Sequence, residues 1–160
     1  KNNEEIANLK SLVNGVNQMN MNNDFKTVYF NGQIYDAYST IMKIFESAKK
    51  DLIIIDGYAD RSVLDIISKL KVNVTLIVRP NTYITQIDID KYNSQNKNLK
   101  VIFSKKYHDR FFILDKSIVY HCGTSINHAG RRAFAINKIE EASVISQIAH
   151  DAIKLITCTK

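Results

Sequence analysis

The chain has 160 residues, of which 22 are Lys or Arg and 16 are Asp or Glu, and its formal net charge is +6. This length suits one domain with a short extension, and the 45% hydrophobic content is ordinary for a globular protein. No apolar run approaches the roughly 20 residues of a membrane-spanning helix, and the N-terminus lacks the apolar stretch of a secretion signal. The positive charge favours anionic partners without identifying one. The two cysteines, Cys122 and Cys158, are too few for a disulfide framework, so we expect reduced thiols and a cytoplasmic protein.

Residues 4–20 have the pattern of a helix. Their apolar residues recur with a 3-4-3 spacing and form one narrow stripe, which consists of Ile6, Leu9, Val13 and Val16. The stripe suits a helix that packs on its own domain, and it equally suits a short coiled coil that joins two chains. Polar residues from Asn20 to Asp24 predict a linker. We therefore predict an N-terminal helix and linker over residues 1–24 and a main domain over residues 25–160.

Strands and helices alternate along the main domain. Continuous apolar runs at 52–55 and 72–78 flank an amphipathic helix at 62–70, which predicts a βαβ unit with parallel, buried strands. The further predicted strands span 27–30, 99–103, 110–114, 118–122 and 133–139, and the further predicted helices span 33–49, 87–96 and 141–156. This alternation predicts an α/β sandwich with a mixed, largely parallel central sheet, helices on both faces, and an N-terminal helix before it.

Candidate functional residues cluster between Tyr107 and Asn127, at the ends of two apolar strands. His108 and Arg110 are two residues apart, so on an extended strand their side chains project to one face. Small and polar residues follow the next strand, and these are Gly123, Thr124, Ser125 and Asn127. A hairpin of this kind can place a histidine, a fixed positive charge and small hydrogen-bond donors around one anion.

This stretch resembles the signature of the phospholipase D superfamily, which is His-x-Lys, four residues, Asp, a short strand and Gly-Ser-x-Asn. The residues that fall on the pattern are His108, Asp115, Gly123, Ser125 and Asn127. Arg110 stands where the family has lysine, and Thr124 is an extra residue between the glycine and the serine. Together with the strand order, the resemblance covers nearly all of residues 25–160 and implies a phospholipase D-like fold.

A closer likeness is to the C-terminal region of bacterial and prophage proteins that carry a KilA-type DNA-binding domain at the N-terminus. It rests on four segments, at residues 30–38, 108–111, 120–123 and 130–134. The likeness implies that this chain, which does not begin with Met, is a piece of a longer DNA-binding protein.

The resemblance implies hydrolysis of a phosphodiester without a metal or any other cofactor. In this family one histidine attacks phosphorus and a second histidine protonates the leaving oxygen. Carried over, His108 in its neutral form is the nucleophile, and Arg110 neutralises the phosphate oxygens. The remaining implied site residues are Ser125 and Asn127 as donors to phosphate, Asp115 and Gly123 as structural residues, and Glu140 as the carboxylate that orients the histidine ring.

One copy of the motif is present, whereas the implied mechanism needs two histidines. Small bacterial nucleases of this superfamily pool two half-sites in a homodimer, and the resemblance implies the same assembly here, with DNA as the partner. No amphipathic segment suited to docking on a membrane is present, which disfavours a lipid substrate and a membrane partner.

The same residues also fit a protein without turnover. Arginine keeps the charge of lysine but does not give up a proton, so the alternative function is a catalytically weak or inactive module for dimerisation or for binding phosphate or nucleic acid. A third alternative is a structural assembly domain, in which the His108–Arg110 pair only supports the hairpin. Without a role at a site, Arg110 would only pair with Asp109 or Asp115 on the surface.

Other candidates have a second interpretation. His121, His128 and His150 lack the spacing of a metal cluster, and we interpret them as structural or surface residues. Tyr58 either lines a ligand pocket at the end of a buried strand or only packs there. The basic pairs at 105–106 and 131–132 either grip a nucleic-acid backbone or form a solvated edge.

Overall fold

The computed structural model describes residues 3–8 and 26–158. Residues 3–8 are helical, while the rest of the predicted N-terminal helix and its linker lie outside the described residues, so the domain division stays a prediction. The elements that follow are β1 (Lys26–Tyr29), α1 (Ile34–Glu46), β2 (Asp51–Ile55), α2 (Arg61–Ile67), β3 (Asn73–Val78), α3 (Gln86–Gln95), β4 (Leu99–Phe103), β5 (Arg110–Leu114), β6 (Ile118–Cys122), a 3₁₀ turn (Ile126–His128), β7 (Phe134–Lys138) and α4 (Ala142–Cys158). None of the described helices is long and apolar enough to cross a membrane.

The described strands form one seven-stranded sheet in the order β1-β7-β6-β5-β2-β3-β4. Strands β2, β3 and β4 pair in parallel, as the βαβ pattern predicts. The other neighbouring pairs are antiparallel. The sheet is mixed, as predicted, but it has fewer parallel pairs than the sequence suggests, because β5, β6 and β7 lie as an antiparallel meander between β2 and β1.

Helices cover both faces of this sheet, which confirms the predicted sandwich. Helices α1, α2 and α3 pack on one face, in a core that includes Leu52 and Ile54 of β2. Helix α4 packs on the other face, in a core that includes Ile53 and Ile55. Because successive residues of a strand point to opposite faces, β2 enters both cores, which explains its uninterrupted apolar sequence.

The β5–β6 hairpin is closed by a three-residue connection, Asp115 to Ser117, between the paired residues Leu114 and Ile118. Asp115 and Lys116 both have positive φ, at 51° and 61°, and the Ser117 N–H donates to the Leu114 carbonyl at 3.0 Å, which closes a tight turn. The Asp115 carboxylate accepts hydrogen bonds from the backbone N–H groups of Lys49, Lys50 and Asp51, at distances between 2.7 and 3.2 Å. Asp115 thereby attaches the hairpin turn to the start of β2.

The loops that contain most of the candidate functional residues lie at the opposite end of the strands. The carboxyl ends of β2, β3, β4 and β6 lie there, together with the amino ends of β5 and β7, since these two strands run in the other direction. The loops at this edge span residues 56–60, 79–85, 104–109 and 123–133, and we call it the loop edge. The carboxyl ends of strands in α/β sheets are the usual place for ligands.

Candidate functional site

A fully buried carboxylate occupies the centre of the loop edge. Asp56, the residue after β2, is 0% exposed. The Ser125 hydroxyl lies 2.9 and 2.8 Å from its two carboxylate oxygens, and the Ile126 N–H donates to it at 2.8 Å. The Tyr58 N–H donates at 3.2 Å. The loop after β6 is therefore bound to the loop after β2 through one carboxylate.

The charge on Asp56 depends on these partners. Burial raises the pKa of its carboxyl, while the hydrogen bonds from Ile126, Ser125 and Tyr58 and the positive charge of Arg110 lower it. Burial is the largest of these effects, so the pKa lies above its usual value of 3.8. Arg110 is thus electrostatically coupled to a carboxylate that the motif does not contain.

Asn127 forms a second connection between the same two loops. Its side-chain amide donates to the Tyr58 carbonyl at 3.3 Å and to the Asp60 carboxylate at 3.2 Å. Its carbonyl oxygen contacts the Ser125 hydroxyl. Asp60 in turn caps the N-terminus of α2 by accepting from the Ser62 N–H. The polar atoms of the segment 125–127 are therefore directed at the protein.

This geometry changes the interpretation of the predicted phosphate donors. Ser125 is 1% exposed, and its single hydroxyl proton is directed at protein oxygens, so it lacks the free donor that a phosphate ligand would need. Thr124, which is an extra residue relative to the motif, instead lines a pocket that opens to solvent. Gly123 lies close to β7, where an added Cβ would lie 3.3 Å from the Ala135 carbonyl oxygen.

Arg110 is the first residue of β5 and pairs with Cys122 of β6. It lies on the face of the sheet that α1, α2 and α3 cover. Neither of the surface pairs considered for it forms, because Asp109 bonds His121 and Asp115 bonds backbone amides. In the described part of the chain, no carboxylate lies within salt-bridge distance of its guanidinium group.

Tyr58 contacts two guanidinium groups. The Arg110 guanidinium carbon lies 5.5 Å from the centre of its ring, and that of Arg79 lies 4.7 Å away. Arg79 also donates to the Tyr58 hydroxyl at 2.8 Å. The tyrosine side chain is 51% exposed, so it belongs to the surface of the loop edge and not to the core.

His108 lies in the bend before β5, since the strand begins at Arg110. The expectation that both side chains extend from one face of a strand therefore does not apply. The histidine is exposed and lines a cavity of about 520 Å³ together with Arg79, Pro80, Asn81 and Lys105. Its imidazole faces solvent beside two positively charged side chains.

A second histidine at this edge pairs with a carboxylate. His121 Nε2 lies 2.8 Å from Asp109 Oδ2, and its ring is tilted against Phe111 at a centroid distance of 5.5 Å. His121 pairs with Phe111 in the hairpin, so it lies on the α4 face, away from Arg110. The sequence predicted a structural or surface role for His121 and did not indicate Asp109 as its partner, although the tight turn at 115–117 already places position 121 opposite 111.

Glu140 lies at the other end of the sheet. The register pairs Lys138 with Tyr120, so the chain after β7 continues towards Ile118 and away from the loop edge. Ile118 and Cys122, the two ends of β6, are four residues apart, which corresponds to roughly 13 Å along the strand. Cys122 is the end that pairs with Arg110. Within one chain, Glu140 is too distant to orient His108, and we withdraw that role.

A basic pocket is formed at the loop edge by residues of the loop 123–133. It has a volume of about 420 Å³ and is lined by Thr124, His128, Arg131 and Arg132. No three His, Cys, Asp or Glu residues in the described ranges are placed to hold a metal ion.

Comparisons with known proteins identify the fold of this chain. No family model matches the chain, and no curated protein matches it significantly. NucT from Helicobacter pylori is 14% identical with a TM-score of 0.60, and the match covers 84% of this chain and 96% of that one. Nuc from Salmonella typhimurium, a phospholipase D family member, is 11% identical with a TM-score of 0.62, over 84% of this chain and 95% of that one.

A DNA-binding protein is also similar. TrmBL2, an archaeal chromatin protein whose structure shows a novel mode of DNA binding, is 14% identical with a TM-score of 0.55, over 93% of this chain and 61% of that one. At such identities the likeness concerns the backbone architecture alone. The chain therefore shares the fold of the phospholipase D family member Nuc, as its sequence predicts.

Proposed function

We propose that the protein is a metal-independent phosphodiesterase, a nuclease that cleaves DNA with His108 as its nucleophile in a homodimeric site. The observation that carries this proposal is the pairing of an exposed imidazole with positive charges that form no salt bridge among the described residues. His108 shares a cavity with Arg79 and Lys105, and Arg110 beside it has no carboxylate in salt-bridge distance among the described residues. An anion bound here would contact both positively charged side chains and the nucleophilic imidazole of His108.

In the proposed reaction the neutral ring of His108 attacks phosphorus, a P–N bond forms, and the bond from phosphorus to the leaving oxygen breaks. The leaving oxygen takes a proton from the imidazolium of His108 in a second copy of the chain. That histidine, now neutral, removes a proton from water, which attacks phosphorus and breaks the P–N bond. Arg110 holds the non-bridging oxygens throughout, with two parallel N–H donors.

A dimer of this kind places two positive edges opposite each other. They repel when nothing lies between them and attract a polyanion that lies between them, so substrate strengthens the assembly. The resemblance to prophage DNA-binding proteins supports DNA as this polyanion, and the loop edge would act beside a KilA-type domain in a longer chain.

The test is cleavage of labelled single- and double-stranded DNA in EDTA. We expect wild-type activity to resist EDTA and His108→Ala to lose on the order of a thousandfold or more, as removal of a nucleophile does. His150→Ala, which removes an exposed histidine from α4, is the matched control and keeps full activity. His121→Gln tests the alternative source of the second imidazole. Its inactivation would place both histidines in one chain and overturn the composite site.

Subunit mixing tests the dimer directly. If each site needs His108 from both copies, an equal mixture of wild type and His108→Ala retains about one quarter of the activity of wild type at the same total concentration. Independent sites retain about one half. The second value, measured after complete subunit exchange, would refute the homodimeric site.

A second function is supported by Arg110 itself. Because arginine cannot give up a proton, this site can bind phosphate without turning it over, and the protein would then be a dimerisation or nucleic-acid-binding effector module. Arg110→Lys separates the two functions. The variant restores the lysine of the resembling motif, so a gain of cleavage by this variant from an inactive wild type would establish the binding module.

A further inference from the structure

The loop edge carries two separate groups of positive charge. One surrounds His108 and includes Arg79 and Lys105, and the other is the basic pocket of Thr124, His128, Arg131 and Arg132. Arg79 follows β3 and Thr124 follows β6, and three strand spacings separate these strands in the sheet. At about 4.8 Å for each spacing, Arg79 of the first group lies roughly 14 Å from Thr124 of the second.

The second group is presented by an anchored loop. Gly130 has a φ of 84° and leaves no space for a side chain, since an added Cβ would lie 2.5 Å from the Ile34 Cα. Its carbonyl accepts from the Gly32 N–H at 2.9 Å, and the Arg131 N–H donates to the His128 carbonyl at 3.1 Å. The pocket is therefore held against the start of α1.

The charges in this pocket are largely uncompensated. Asp60 interacts electrostatically with His128. Arg131 and Arg132 are exposed, and neither forms a salt bridge within residues 3–8 and 26–158. Two adjacent guanidinium groups on a fixed loop, with the Thr124 hydroxyl beside them, suit a phosphate group.

We propose that Thr124, His128, Arg131 and Arg132 form a second phosphate subsite, so that the loop edge binds one nucleic-acid strand along at least two of its phosphates. The proposal rests on the proposed function and specifies its substrate class. Stacked nucleotides advance about 3.4 Å each, so roughly four of them span the 14 Å between Arg79 and Thr124. Tyr58 follows β2, which lies between β3 and β6 in the sheet, and its exposed side chain is available for a base to stack on. A single lipid phosphate does not reach both groups.

The experiment is fluorescence anisotropy with labelled oligothymidylates of two to twelve nucleotides, whose phosphorothioate linkages keep the charge and slow cleavage. We expect Kd to fall steeply up to about five nucleotides and gradually beyond that length. Arg131→Gln with Arg132→Gln should weaken binding of the octamer about tenfold or more. It should also reduce the slope of log K against log salt by about 0.7 for each phosphate that the variant no longer neutralises.

The matched control removes the same charge at the opposite sheet edge. Lys50 and Lys71 are exposed and precede β2 and β3, so Lys50→Gln with Lys71→Gln should change the octamer Kd less than about twofold. Equal losses in the two double variants would overturn the subsite, because they would show a general effect of charge. Displacement of the octamer by vesicles of phosphatidylglycerol at equal phosphate concentration would overturn the nucleic-acid assignment.

The two proposals fail in different ways. If binding depends on Arg131 and Arg132 but no cleavage occurs, the proposed nuclease activity is refuted and the phosphate subsite is supported. If DNA is cleaved but the octamer Kd is unchanged in the double arginine variant, the phosphate subsite is refuted and the proposed nuclease activity is supported.

Discussion

Removal of the Asp56 carboxylate should destabilise the loop edge by about 2–3 kcal/mol. In Asp56→Ala the Ser125 hydroxyl can still donate to Asn127, which it already contacts. The buried Ile126 N–H, in contrast, loses its acceptor, and an unsatisfied buried donor costs about 1–3 kcal/mol. The Tyr58 N–H loses a longer bond of 3.2 Å. Relief of the carboxylate's desolvation offsets part of this cost, which keeps the total below the roughly 3–5 kcal/mol that breaking a buried ion pair costs.

The pH dependence has a definite sign. Burial raises the pKa of Asp56 above 3.8, so the folded protein takes up a proton at this carboxyl before the unfolded chain does. This group therefore contributes more stability at low pH, and its contribution falls as the pH rises through the folded pKa. The stability difference between wild type and Asp56→Ala should accordingly be larger near pH 4 than at pH 7.

Urea unfolding followed by circular dichroism measures both effects, and Asp65→Ala serves as the control. Asp65 is exposed on α2, so its substitution should change stability by less than about 0.5 kcal/mol. A loss below about 1 kcal/mol in Asp56→Ala, with an unchanged m-value, would refute the assigned role of this carboxylate in joining the two loops.

Three further predictions concern other parts of the fold. Gly130→Ala forces a Cβ to 2.5 Å from the Ile34 Cα at a positive φ, which should cost more than about 1 kcal/mol and lower Tm by at least about 2–4 °C in calorimetry. Backbone hydrogen bonds hold the pKa of Asp115 below 3.8, so its stabilising effect exists above that pH and disappears as the pH falls; the urea midpoints of wild type and Asp115→Asn should therefore converge below pH 4. Burial raises the pKa of Cys122 to about 12, whereas Cys158 is exposed. Iodoacetamide at pH 8 should add one group to the native protein and two to the unfolded chain, as read by mass spectrometry, and two adducts on the native protein would contradict the buried thiol.

The fold could be predicted largely because its central strands enter two cores. The run from Leu52 to Ile55 is apolar at every position, and this pattern is compatible with few structures other than a strand covered on both faces. The pattern contains no information about which strand lies next to β2. The βαβ pattern predicts β3 on one side of β2, but the strand on its other side is β5, and this antiparallel pairing is set by tertiary packing.

The candidate site was predictable only as far as a motif marks it. His108 and Arg110 were found through their spacing, and both lie at the loop edge. Asp56 was missed because Asp followed by Gly after a strand has the appearance of an ordinary turn, and burial of a carboxylate leaves no trace in sequence. Ser125 was misinterpreted since a loop residue has no periodicity to indicate where its side chain points.

The pairing of β1 with β7 has a consequence for how the chain folds. Tyr29 lies opposite Phe134, so the first strand of the sheet finds its partner roughly a hundred residues later. During synthesis, β1 can pair with β7 only after nearly the whole domain has left the ribosome. The contacts of β1 also raise the mean sequence separation of native residue pairs, which slows folding. Hydrogen exchange should therefore find β1 opening at lower free energy than the central strands, as a last-formed edge that can detach while the remainder stays folded.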